Sequence, residues 1–309
     1  MSLGIVFPGQ GSQSVGMLDA LAGAHAVVRE TIAEATDALG YDLGALIHSG
    51  PEEELVRTER TQPAMLLAGV AVWRAWRVLG GGEPAMVAGH SLGEYTALVC
   101  SGALGFADAV RIVAARGRFM QEAVPQGQGA MAAIMGLEDA VLERLCADQE
   151  GSEVVACANY NAPAQVVIAG HASAVERVMG LAQAQGAKRA VRLPVSAPFH
   201  CALMKPAAER LAQVLQSVNI VAPRIPVIHN VDARSRVDAN DIRAALVEQA
   251  FRPVRWVECV RALHSAGVTR VVEFGPGKVL TGLCKRIERG LECAAAYDPD
   301  TLSKAQAAA

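Results

Sequence analysis

Gly89-His90-Ser91-Leu92-Gly93 restricts this chain more than any other stretch. It matches G-x-S-x-G, with a short apolar run, Ala85–Ala88, before it and a helical pattern, Leu92–Cys100, after it. That order makes a sharp turn that lifts the serine hydroxyl clear of the backbone, and flanking glycines let the turn close and a substrate approach. The following helix directs its free N–H groups and positive dipole end at the reacting centre. Ser91 is therefore the candidate nucleophile.

The rest of the chain reads as strands alternating with helices. Apolar runs predict strands at Leu3–Phe7, Pro226–His229 and Thr269–Phe274. Helical patterns cover Val27–Leu39, Pro63–Leu79, a helix from near Asp108 to Glu122, Ala202–Ser217, Asp241–Phe251, Val254–Ala266 and a final one, Val279–Arg289. An Ala-rich tail follows Ser303. This alternation argues for α/β, a mostly parallel sheet covered by helices on both faces. Pro125-Gln126-Gly127-Gln128-Gly129 is the clearest linker. After it the order is strand Ala130–Met135, helix Asp139–Ala147, strand Glu153–Ala158, strand Gln165–Ala169, helix Ser173–Gln185 and strand Lys188–Leu193. That is the ferredoxin-like βαββαβ unit, inserted into the larger fold. The expected division is a large catalytic domain of 1-126 and 197-309 with a small domain of 127-196.

Composition narrows the function. Of 309 residues, 52% are apolar and 19% charged, enough for a large core. The net charge of −3 and 4% aromatics disfavour nucleic-acid binding. Seven scattered cysteines without a C-x-x-C pair argue against disulfides or a zinc site and fit a reducing cytoplasm. Met1–Pro8 lacks a basic start and is broken by Pro8-Gly9, so no signal peptide is expected. Val154–Val175 is free of Asp, Glu, Lys and Arg, but Asn159, Asn161, Pro163 and Gly170 mark it as strand–turn–strand; no membrane span is expected.

A nucleophilic serine needs a base. His25 and His48 lie in surface-like contexts, His171 follows a small-domain strand, and His90 points away from Ser91 across the turn. Spacing leaves His200, at the end of Ser196-Ala197-Pro198-Phe199-His200, and His229, at a strand end, both open. A hydrogen-bonded core role suits His229 better. Asp232, Asp241 and Glu248 are available as a third triad member. Arg116 alone reads as an exposed helix arginine like Arg111 and Arg118. Cys201 beside His200 makes a poor pair, because sequence neighbours seldom share a productive hydrogen bond. Gly9-Gln10-Gly11 lacks the rest of a nucleotide-binding loop.

Gly9-Gln10-Gly11-Ser12-Gln13, Gly89-His90-Ser91-Leu92-Gly93-Glu94-Tyr95, Arg116-Gly117, Ser196-Ala197-Pro198-Phe199-His200 and Gly275-Pro276-Gly277 occur in that order. With the inserted domain, nearly the whole chain resembles the malonyl-CoA:acyl-carrier-protein transacylases of type II fatty-acid synthesis. That family includes the acyltransferase domains of polyketide synthases. The resemblance implies that Ser91 carries a malonyl ester, that His200 is the general base, and that the backbone carbonyl of Gln249 orients it in place of an acid. It implies an oxyanion hole from the backbone N–H groups of Gln10 and Leu92. It makes Arg116 the malonate clamp, for which a guanidinium fork suits a carboxylate better than a lysine. Phe199 becomes a steric wall against methylmalonyl groups. The implied partners are malonyl-CoA and holo acyl-carrier protein, with no metal or cofactor, in a cytoplasmic monomer. An acidic carrier would dock on Lys188, Arg189 and Arg192 or on Lys285, Arg286 and Arg289. The alternatives are loading or editing for a polyketide synthase, and hydrolysis of acyl thioesters.

Overall fold

The computed structural model describes residues 2–149 and 151–307; Met1 of the N-terminal reading and the last two residues of the Ala-rich tail lie outside them. Nine strands are formed among the described residues: β1 (Leu3–Phe7), β2 (Met86–Gly89), β3 (Gly129–Met135), β4 (Val155–Ala162), β5 (Gln165–His171), β6 (Arg189–Arg192), β7 (Val227–Ile228), β8 (Arg270–Phe274) and β9 (Glu292–Ala296). Five build one sheet in the order β7-β2-β1-β8-β9, every pair parallel. β1 and β8 are buried along their whole length, as expected where helices cover both faces. The other four build an antiparallel sheet in the order β4-β5-β3-β6. Its first strand lies between its third and fourth, and the helices Asp139–Gln149 and Ala172–Ala184 complete the ferredoxin-like unit.

Three segments depart from the sequence reading. Val279–Ile287 is not the last helix: β9 and a helix over Pro299–Ala307 follow it. Glu292-Cys293-Ala294-Ala295-Ala296 has little β-propensity and is a strand because it pairs with β8 at the sheet edge. The helix through Pro63 starts at Thr58, so the proline sits in its second turn. β4 runs on to Ala162, with irregular register between Cys157 and Asn159 and between Tyr160 and Ala162.

The two sheets meet beside the serine turn. The Val254 N–H donates to the Ala158 carbonyl at 2.9 Å, and the Tyr160 N–H donates to the Val254 carbonyl at 2.9 Å. These bonds bring β4 against the chain that leaves the helix Ala239–Phe251. Among the described residues no helix is long and apolar enough to cross a membrane.

Candidate active site

β2 ends at Gly89, and the helix Gly93–Cys100 begins four residues later. A Cβ at Gly89 would fall 1.9 Å from the Gly93 carbonyl carbon, so only glycine permits this closure. Ser91 at the apex has φ +51°, a left-handed conformation that costs roughly 1–3 kcal/mol in a non-glycine residue. Side chains hold it there: the Ser91 N–H donates to Asn230 Oδ1 at 2.7 Å, and the Ser91 carbonyl accepts from Gln249 Nε2 at 2.8 Å.

His200 Nε2 lies 2.7 Å from Ser91 Oγ, and Nδ1 lies 2.8 Å from the Gln249 backbone carbonyl. A carbonyl can only accept, so Nδ1 carries the proton and Nε2 is left as the acceptor for the serine. Burial, reinforced by the charge of Arg116, pushes His200 down to about 3. The imidazole is therefore neutral at physiological pH, the state a general base requires. His229 lies elsewhere: fully buried, it donates through Nδ1 to Glu94 at 2.7 Å. His90 bonds Asn161 of β4 at 2.8 Å and packs at a tilt against the Trp256 ring, and the Cys201 thiol is pushed up to about 12 by burial.

Arg116 differs from its sequence-only reading. It is 2% exposed, on the buried face of the helix Phe106–Glu122. That helix crosses Thr58–Val78 closely, since a Cβ at Gly117 would fall 2.6 Å from the Thr58 carbonyl oxygen. The close approach sets Nη1 2.8 Å from Gln62 Oε1, while Nη2 lies 2.8 Å from Gln249 Oε1 and 3.3 Å from Ser91 Oγ. Nε is buried and has no hydrogen-bond partner among the described residues. Among the described residues no carboxylate forms a salt bridge with this guanidinium.

A cavity of about 600 Å³ gathers Gln10, Ser91, Leu92, Arg116, Phe199 and His200 with Met131, Val167, Asn159 and Asn161 from the small sheet. The Gln10 loop is tethered through its side chain to Thr58 Oγ1 at 3.4 Å, and Thr58 bonds Ser196 on the return loop at 3.0 Å. Sequence reasoning missed Gln62, Asn230, Glu94 and the side-chain role of Gln249.

A serine on a strained strand-to-helix turn, a neutral histidine bonded to it and oriented by a carbonyl, and a buried arginine beside both form a geometry suited to serine-based acyl transfer on an α/β scaffold. The chain belongs to the acyl transferase domain family, whose sequence profile matches residues 5–300. It is 56% identical, over 300 residues and 97% of each chain, to the malonyl CoA-acyl carrier protein transacylase of Salmonella typhimurium. The acyl carrier protein S-malonyltransferase of Vibrio cholerae shares its structure with a TM-score of 0.97 and 54% identity, covering 99% of this chain and 100% of that one. A malonyl-transacylase solved with its type II polyketide acyl-carrier protein matches with a TM-score of 0.98 and 51% identity over 100% of both chains.

Proposed function

We propose that this protein moves a malonyl group from malonyl-CoA to the phosphopantetheine thiol of holo acyl-carrier protein, through an ester on Ser91, for fatty-acid biosynthesis. The observation that carries this reading is Arg116. Buried charges are ordinarily paired, yet the Nη groups of this guanidinium meet glutamine oxygens, and among the described residues no carboxylate pairs with it; Glu94 stands behind the Gln249 amide. The missing carboxylate arrives with the substrate: malonate places one a single methylene from the thioester carbonyl that Ser91 attacks.

In the first half-reaction Ser91 Oγ gives its proton to His200 Nε2 and bonds the thioester carbon. The oxyanion is received by the backbone N–H groups of Gln10 and Leu92, neither of which donates a hydrogen bond elsewhere among the described residues. The intermediate collapses, the C–S bond breaks, and His200 returns the proton to the departing CoA thiolate. In the second half-reaction the carrier thiol gives its proton to His200 and attacks the ester carbon; Ser91 leaves with that proton. Thioester is exchanged for thioester, and the steps as written use no metal or cofactor. Phe199 walls the cavity beside the base.

The same reading takes the protein as a cytoplasmic monomer whose insertion, 127-196, covers a catalytic domain of 1-126 and 197-309. The insertion's own apolar cluster, built from Ile134, Leu142, Ile168 and Val178, supports that division. The deciding experiment is incubation with radiolabelled malonyl-CoA. Label should stay on Ser91, vanish in Ser91→Ala and pass to added holo carrier protein. Free malonate as the main product would make the protein a hydrolase, and an adduct on Cys201 would overturn the nucleophile.

A further inference from the structure

Glu94 lies on the first turn of the helix after Ser91 and has no accessible surface. Its carboxylate receives three donors. His229 Nδ1 reaches Oε1 at 2.7 Å, and Oε2 takes the Asn230 N–H at 2.9 Å and Gln249 Nε2 at 3.0 Å. Two of those residues continue to the nucleophile. The Asn230 carboxamide accepts the Ser91 N–H at 2.7 Å and donates to the Gly89 carbonyl at 2.7 Å. The Gln249 carboxamide donates to the Ser91 carbonyl at 2.8 Å and accepts from Arg116 at 2.8 Å. Both backbone polar groups of a residue held at φ +51° are thus fixed by side chains anchored on one carboxylate.

We propose that Glu94 is a positioning residue for acyl transfer: through Asn230 and Gln249 it holds Ser91 in its strained conformation and keeps the Arg116 fork aimed at the cavity. The proposal rests on Ser91 being the nucleophile. The Glu94 backbone N–H meets the Ser91 carbonyl at 3.1 Å whatever the side chain, but the carboxylate bonds only His229, Asn230 and Gln249, so it acts through other residues. Only a carboxylate offers acceptors to all three donors as they stand. A glutamine could still serve two of them. Its oxygen would take the Asn230 and Gln249 donors, and its NH₂ would face His229. His229 would then move its proton from Nδ1 to Nε2, a nitrogen that has no partner in the native site.

The test compares wild type, Glu94→Ala and Glu94→Gln, at a temperature where melting curves show each folded. Three rates are read: malonyl transfer, acetyl transfer, and labelling of Ser91 by a fluorophosphonate, which needs the serine and its base but no carboxylate clamp. A misplacement of about 1 Å at a reacting group costs about a hundredfold. Glu94→Ala should therefore lose about a hundredfold in kcat for acetyl transfer and in labelling, and at least as much for malonyl transfer, which also needs the fork. Glu94→Gln should recover to within about tenfold of wild type, and ¹⁵N spectra should show the His229 proton on Nε2. Wild-type rates in folded Glu94→Ala would overturn the proposal, as would Glu94→Gln being no better than alanine. If Glu94→Ala does not fold, Asn230→Ala carries the test, because it cuts the bond to the Ser91 N–H; an unaltered kcat there overturns it too. Wild-type malonylation is the control. Its absence would undo the transferase reading, whereas its presence beside an indifferent Glu94 undoes only this one.

Discussion

Replacing Arg116 by alanine separates recognition of malonate from the chemistry of the serine. The guanidinium now directs Nη1 and Nη2 at two glutamine oxygens and leaves Nε bare. A malonyl carboxylate can take two of its N–H groups, and charged hydrogen bonds contribute about 1.5–3 kcal/mol each. Some of that is offset, because the carboxylate displaces contacts to Gln62 and Gln249. Truncating one partner of a buried charged pair costs about 2–5 kcal/mol. At about 1.4 kcal/mol per decade, kcat/KM for malonyl-CoA should fall about thirty- to several-thousandfold relative to acetyl-CoA. A second readout comes from His200. Arg116 helps hold it down near 3, after burial itself. Removing the charge and admitting water both raise its pKa toward the ordinary histidine value. Base catalysis needs the neutral ring, so activity is lost below that pKa. Wild type should show no acid limb from His200 near neutrality, and the acid limb of the variant should move up in pH. Steady-state kinetics with both acyl-CoAs from pH 5 to 8 would measure both. An equal loss for malonyl and acetyl, with no shift of the acid limb, would make Arg116 a packing residue and refute the clamp.

Phe199→Ser should improve methylmalonyl-CoA relative to malonyl-CoA by roughly ten- to hundredfold in kcat/KM, since displacing an aromatic wall costs about 1–3 kcal/mol. An unchanged ratio with a lower Tm would give Phe199 a packing role only. For the carrier protein, the cluster Lys188, Arg189 and Arg192 is exposed, with Arg192 paired to Glu176 at 2.6 Å, and runs directly into Leu193, Pro194 and Val195, which line the cavity. Reversing those charges should raise KM for the carrier, weaken its salt dependence and leave malonyl-CoA loading intact. If Lys285, Arg286 and Arg289 respond instead, the carrier docks at the end of the helix Val279–Ile287.

The serine turn was legible because strand, glycines and helix all fall within a few residues of Ser91. The inserted unit was legible because its six elements follow one another without interruption. β9 was not, since alanines carry no strand signal until β8 lies beside them. The last helix did leave one: Asp298-Pro299 is a cap followed by a first-turn proline, and the Thr301 N–H donates to Asp298 Oδ1 at 2.7 Å. Arg116 left one as well. It lies three residues after Val113 and seven after Ala109, on the apolar stripe of its helix, where a solvated arginine does not belong. The choice between His200 and His229 was not available from spacing. It depends on Glu94, Asn230 and Gln249, which lie up to 155 residues apart in sequence and meet only when the sheet forms. Gln62 is equally silent, a single amide inside a helix buried along most of its length.

The neutrality of Gln62 and of the Gln249 carbonyl has a physical reason. A carboxylate in the third seat, beside His200, would stand close to a guanidinium already 2.8 Å from Gln249 Oε1. The two would pair, and the fork would be filled before any substrate arrived. Among the described residues the only buried acid bonded to this group, Glu94, stands off behind the Gln249 amide. Gln62→Glu tests the point with a near-isosteric change, placing a carboxylate where Oε1 now sits 2.8 Å from Nη1. Unit charges about 4 Å apart attract by about 4 kcal/mol at an effective dielectric of about 20, and desolvation offsets part of that. Malonyl loading should fall about a hundredfold or more, because malonate must displace an internal counter-ion. Acetyl transfer, which needs no fork, should stay within a few-fold, and Tm should hold or rise. Malonyl loading at the wild-type rate in that variant would show that the fork is not the malonate site.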